Sequence, residues 1–112
     1  MTIESGNAIV DLIVVLTAKD LGSVPELRES MATQVRLSKE EPGCERFEAF
    51  ESQTVPGTFL VVERWVSQEA LDAHRQATAI ATVYVPRILP LVDRVLHVCS
   101  ALPDKLVAAR IG

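Results

Sequence analysis

The sequence predicts an α+β domain of element order βαββαβ, on three observations. Short apolar runs are rich in β-branched residues, two longer stretches repeat their apolar residues at helical spacing, and Pro-Gly pairs interrupt the chain between them. Residues 9 to 17, Ile-Val-Asp-Leu-Ile-Val-Val-Leu-Thr, are too few for a core helix of usual length and read as a buried strand. Ser23-Val-Pro-Glu26 has the form of a capping box with proline in the first turn, and Val24, Leu27, Met31 and Val35 then recur on one helical face. That helix should stop before Pro42-Gly43. Residues 45 to 52 and 58 to 66 read as a hairpin of strands around Pro56-Gly57. Ser67 is a candidate N-cap for a second helix over 68 to 82, whose stripe is Ala70, His74, Ala77 and Ala81. Pro86 and Pro90 should bound a connector, and residues 91 to 100 read as the fourth strand. This order predicts a four-stranded antiparallel sheet with both helices on one face. The other face must be covered too, and two such sheets packed together would cover it, leaving a small apolar concavity for an organic molecule.

At 112 residues the chain is expected to be a single domain over 1–112. Such a chain buries only about 60–70% of its unfolded surface. Since 48% of its residues are apolar, part of that surplus is expected in a homodimer interface. The segment 101–112 has enough apolar side chains to pack on a partner subunit, fraying being the alternative. A formal charge of −4 with scattered basic residues excludes the positive patch that nucleic acid demands. No apolar run is long enough to span a membrane and the N-terminus lacks a signal-peptide pattern, so a cytoplasmic location is expected. Cys44 and Cys99 have no CxxC spacing and read as reduced thiols. No nucleotide-binding or metalloprotease motif occurs, and His74 and His97 alone make a poor metal set, so neither metal nor cofactor is expected.

Candidate chemistry centres on Phe59-Leu-Val-Val-Glu-Arg-Trp65 and the following His74. A strand alternates faces, so Phe59, Val61, Glu63 and Trp65 share one side, and a charge in that company needs a partner or a pocket. Trp65 offers an indole wall and an N–H, and Phe59 apolar surface, although core packing explains both equally well. His74 is a candidate base for a phenol or enol, and Glu63 either orients it or anchors an arginine. Arg64 and Arg94 sit on strands where they can meet a carboxylate across the sheet. Tyr84 and Arg87, beside Pro86, are placed to hold a carbonyl or phenolate. His97 lines the cavity or makes an interface hydrogen bond, with Val95 and Cys99 on its face.

Glu41-Pro-Gly-Cys-Glu-Arg-Phe47, Pro56-Gly-Thr-Phe59, Glu63-Arg-Trp65 and Ala70-Leu-Asp-Ala-His74 together resemble the antibiotic biosynthesis monooxygenase family over roughly residues 9 to 99. The resemblance implies a ferredoxin-like fold, usually paired into a dimeric α+β barrel. The family's glycine-cysteine turn falls on Gly43-Cys44, its aromatic strand position on Phe47, its Glu-x-Trp on Glu63 and Trp65, and its helix histidine on His74. Many relatives carry a second histidine where this chain has Thr78-Ala79-Ile80, and its first strand lacks the asparagine of the haem-degrading branch. The reading that follows is a cofactor-independent monooxygenase that binds a small aromatic molecule, a quinol or anthrone-like compound, and molecular oxygen. Catalytic candidates are His74, Trp65 and Glu63; substrate-binding candidates are Phe47, Phe59, Tyr84, Arg87 and His97. Two alternatives stay open, an isomerase or proton-transfer enzyme for a small oxygenated metabolite and a non-catalytic dimeric ligand-binding protein.

Overall fold

In the computed structural model, which describes residues 8 to 103, four strands form one antiparallel sheet. They are β1 (Val10–Ala18), β2 (Cys44–Glu51), β3 (Thr58–Trp65) and β4 (Val92–Cys99), in the order β2-β3-β1-β4. The expected packing of the C-terminal extension falls outside the described residues from 104 onward. Burial in β3 alternates as the pleat requires. Phe59, Val61, Glu63 and Trp65 are buried, whereas Leu60, Val62 and Arg64 are half-buried on the opposite face. The register places Leu12 opposite Glu63 and Val14 opposite Val61, so the even-numbered residues of β1 complete the buried face. Asp11 faces Arg64 on the other side, where two hydrogen bonds of 2.8 and 3.2 Å join them across the strands.

Helix α1 (Val24–Lys39) begins with proline in its first turn, as the sequence predicts. The capping box does not form. A 3₁₀ turn over Leu21–Ser23 already puts Ser23 in helical conformation, and the Asp20 side chain instead accepts from the Gly22 N–H at 3.0 Å. The buried face of α1 also differs from the predicted apolar stripe. Val24, Leu27 and Met31 are buried, but so are Ser30, Gln34 and Ser38, four residues apart, while Val35 is only partly so.

The expected helix over 68 to 82 is two helices. Ser67 caps α2 (Gln68–His74) by accepting from the Ala70 N–H at 3.1 Å. The chain then tightens, with Gln76 N–H donating to the Ala73 carbonyl and Ala77 N–H to that of His74, and α2 ends. It resumes as a π-helix, α3 (Ile80–Ile88), which contains Pro86 rather than stopping before it; Pro90 lies in a following 3₁₀ turn. Proline has no N–H to donate, so the regular helical ladder cannot pass through residue 86. The break turns Ala79, Val83 and Ile88 inward, and Ala81 of the predicted stripe outward. Trp65, Phe47, Leu16, Leu27, Leu71 and Ile88 form the most deeply buried part of the core, between the helices and one face of the sheet. Each such side chain contributes about 1.5–3 kcal/mol by its removal from water.

Candidate functional site

The turn after α1 sets the geometry of the site. Glu41 N–H donates to the Ser38 carbonyl and Cys44 N–H to the Glu41 carbonyl, so the chain folds back within five residues. Gly43 at the apex has φ +82°, and a Cβ there would lie 2.6 Å from the Ala70 Cβ on α2. Only glycine permits both the left-handed backbone and so close an approach. The turn thereby delivers the Glu41 carboxylate to the buried end of α2. Its Oε1 lies 2.6 Å from His74 Nδ1.

His74 is 4% exposed and sits between two carboxylates. A carboxylate only accepts, so Nδ1 carries the hydrogen and donates it to Glu41, which leaves Nε2 as the ring nitrogen turned toward Glu63. Nε2 lies 4.0 Å from Glu63 Oε1, too far for a hydrogen bond. That same Glu63 oxygen accepts from Trp65 Nε1–H at 3.0 Å. Burial pushes the Glu63 carboxyl above the usual carboxylate range, and the Trp65 N–H with the nearby His74 and Arg75 offsets this only in part. The Trp65 and His74 rings lie 4.5 Å apart between centroids at 31°, and the Phe47 ring flanks His74 at 5.6 Å. Imidazole, indole and phenyl rings thus lock one another in place.

Glu63 and His74 open onto a cavity of about 280 Å³, at the small end for ligand pockets. Leu12, Val14, Val61, Leu71, Ile80 and Leu89 make apolar walls from the sheet, α2, α3 and the following turn. Gln34 reaches in from α1, and Val85, Leu96 and Arg94 stand at the exposed rim. Tyr84 also lines it, and its hydroxyl accepts from Arg94 Nη1 at 3.2 Å, with the guanidinium 5.9 Å from the ring centre. The cavity thus has an imidazole–carboxylate pole and a phenol–guanidinium pole.

Of the residues singled out in the sequence, Glu63, His74 and Tyr84 line this cavity. Trp65 does not: it is fully buried behind His74, and its N–H is taken by Glu63, so it is not an exposed wall for a ligand. Phe47 packs against Trp65 and His74 from behind. Phe59, four strand residues from Glu63 and hence about 13 Å along β3, borders a separate groove between α1 and β2. Arg87 is half-buried on α3 but is not a lining residue. His97 is placed on the opposite face of the sheet from His74, because the β4 residues facing the cavity are Arg94 and Leu96 and odd positions point away. Glu41, Gln34 and Arg94 were not among the sequence candidates for the pocket. Glu41 stands at the head of the recognised turn motif, whereas no signal marks Gln34, a polar residue on a stripe that reads as solvated.

Cys44 and Cys99 are free thiols on opposite edges of the sheet, and burial pushes the Cys44 thiol up, away from the reactive thiolate. Among the described residues no three His, Cys, Asp or Glu side chains gather as a metal site, and no helix is long and apolar enough to cross a membrane.

These features define a class: a ferredoxin-like α+β domain whose sheet and helices enclose a small cavity with a buried histidine held by one carboxylate and facing a second. The chain belongs to the antibiotic biosynthesis monooxygenase family, whose model matches residues 13–84. A solved structure described as an antibiotic biosynthesis monooxygenase is similar at 24% identity, covering 84% of this chain and 99% of its own, with a TM-score of 0.76. A Bacteroides thetaiotaomicron protein of unknown function, described as a possible oxidoreductase, is 27% identical over 83% of this chain and 97% of its own, with a TM-score of 0.74. A Pseudomonas aeruginosa protein shares the fold at a TM-score of 0.79 and 19% identity, covering 89% of this chain and all of its own. No curated protein matches the chain.

Proposed function

We propose that this chain is a cofactor-independent monooxygenase that oxidises a quinol or anthrone-like aromatic with molecular oxygen. The observation that carries the reading is His74, oriented by Glu41 at 2.6 Å and presented beside Glu63 in a small apolar cavity. A base held by a second group is the arrangement that general-base chemistry requires. His74 Nε2 takes the hydroxyl proton of the phenol or enol, and Glu41 stabilises the imidazolium that results. The remaining anion carries electron density on a ring carbon, which forms a bond to one atom of O₂. That carbon loses its hydrogen, the O–O bond breaks, a new carbonyl remains on the ring, and the second oxygen leaves as water. The substrate loses two hydrogens and gains one oxygen, and it supplies all four electrons. Tyr84 and Arg94 at the other pole are suited to an oxygen carrying negative charge.

Oxygen uptake by the purified protein with a panel of quinols and anthrones, against a no-enzyme control, tests this. His74→Ala is expected to lower the rate about 100-fold, the scale of a lost general base. Glu41→Gln, which can still accept a hydrogen bond but carries no charge, should cost about tenfold. Uptake no faster than autoxidation across compounds that bind would overturn the oxygenase reading. A second reading, proton transfer or isomerisation, is favoured by the same pairing of an imidazole with a raised carboxyl 4.0 Å away. It predicts turnover without oxygen consumption.

The chain is also proposed to work as a homodimer. The sheet face away from the helices carries Ile13, Val15, Leu60, Val62, Phe50 and Val95, and Val95 and Phe50 are about half exposed. An apolar face of this kind is suited to a second copy of the same sheet.

A further inference from the structure

Gln34 is a buried polar residue of the cavity whose chemistry is still unassigned. It stands at mid-helix on α1, is 5% exposed, and lines the cavity together with Glu63 and His74. Its amide makes no hydrogen bond to any described residue, whereas every other buried polar side chain that lines the cavity has one: Glu63 with Trp65 and His74 with Glu41. Its helical neighbours four residues away, Ser30 and Ser38, are fully buried and their hydroxyls also lack partners. A primary amide carries two donors and one acceptor, and desolvating them without partners is costly. A leucine or methionine would fill this position without that cost. The amide instead faces the one space where a partner can arrive from outside the chain.

We infer that Gln34 is a ligand-binding residue that reads a second oxygen of the bound aromatic while His74 engages the first. The inference rests on the reading that this cavity holds the substrate, and it narrows the substrate class to aromatics with two oxygens. A single-oxygen phenol bound at His74 would leave the amide of Gln34 dry and unpaired. A dihydroxy or hydroxy-oxo aromatic satisfies both poles. Sites built to hydrogen-bond a substrate group discriminate against the analogue that lacks it, for this reason.

The test measures dissociation constants by equilibrium dialysis under nitrogen, so that nothing turns over. The probes are 1-naphthol and three dihydroxynaphthalenes (1,2, 1,4 and 1,5). The wild-type chain should bind at least one diol about tenfold more tightly than 1-naphthol, the worth of one buried hydrogen bond. Gln34→Met, which keeps length and removes the amide, should shrink that preference to twofold or less. Gln34→Leu serves as a second apolar replacement, and thermal melting confirms that either variant is folded. His74→Ala should weaken all probes together. Leu96→Trp, at the exposed rim, tests the cavity itself and should weaken all probes. If Leu96→Trp abolishes binding but both Gln34 variants keep the wild-type preference, the Gln34 assignment is overturned and the cavity reading stands. If wild type binds no probe, or Leu96→Trp changes nothing, both fall.

Discussion

Glu63 is a carboxylate facing the core, and its cost sets a pH dependence. Burial raises its carboxyl above the ordinary range, so the folded chain holds that proton more tightly than the unfolded chain does. Below the ordinary carboxylate value both states are protonated and there is no penalty. As pH rises from there through the raised folded value, the unfolded state ionises first and stability is lost. Glu63→Gln removes that loss and still offers an oxygen to the Trp65 N–H. The expected outcome is a variant that melts above wild type at pH 8, with the advantage shrinking toward pH 4. A melting difference that is flat with pH, or grows toward acid, would contradict the account. The retention of a costly carboxylate in place of glutamine is what a group with a job beside His74 predicts. At this scale the sequence showed that Glu63, Trp65 and His74 belong together, because β3 alternation and the family motif both point there. It did not show that Trp65 serves Glu63 rather than the ligand, since an indole N–H looks the same in sequence whatever accepts from it.

At the scale of elements, the turn between α1 and β2 controls the site from a distance. Gly43→Ala would drive a methyl to 2.6 Å from Ala70 while holding an L-residue at φ +82°. The expected cost is about 2–3 kcal/mol, combining backbone strain with overpacking, and roughly 10 °C or more in melting temperature for a chain of this size. Gly22→Ala is the internal control. Its added Cβ meets only the Asp20 side chain at 3.4 Å, and it should change stability by less than about 0.5 kcal/mol. Equal losses in differential scanning calorimetry would show that the turn is not under this constraint. The Pro42-Gly43 stop, the Pro56-Gly57 hairpin and the Ser67 cap were legible because each is a local matter of backbone angles and one side chain. The split of the second helix was not. Apolar and small residues continue at helical spacing through 75 to 82, so nothing local marks the break that accompanies burial of Ala79 and Val83, while Pro86 denies the resumed helix a regular ladder.

For the whole molecule, two unlike faces of one sheet divide the labour. The helix face holds the core and the cavity; the open face presents Ile13, Val15, Leu60 and Val62 in register with Val95 and His97. If a second copy covers that face, Val62→Lys combined with Val95→Lys places four ammonium groups in the interface. Sedimentation equilibrium should then give the 12.2 kDa chain mass for the variant and twice that for wild type. A wild-type monomer would remove the proposed dimer. His97 belongs to this face, which is why it stands away from His74 despite the suggestive residue type.

By itself the sequence determined the succession of four strands along the chain, the hairpin, the first helix and the buried side of β3, because these depend on periodicity of two or 3.6 residues and on the stereochemistry of proline and glycine. It also carried the family, through motifs spread over most of the chain. Only the tertiary structure decided which polar side chains converge. Glu41 meets His74 across 33 residues, Gln34 enters the cavity from a helix stripe that looks solvated, and the parity of β4 turns Arg94 inward and His97 outward. A cavity belongs to no single element; it is the space left where elements of different period are packed together, and no local pattern encodes its lining.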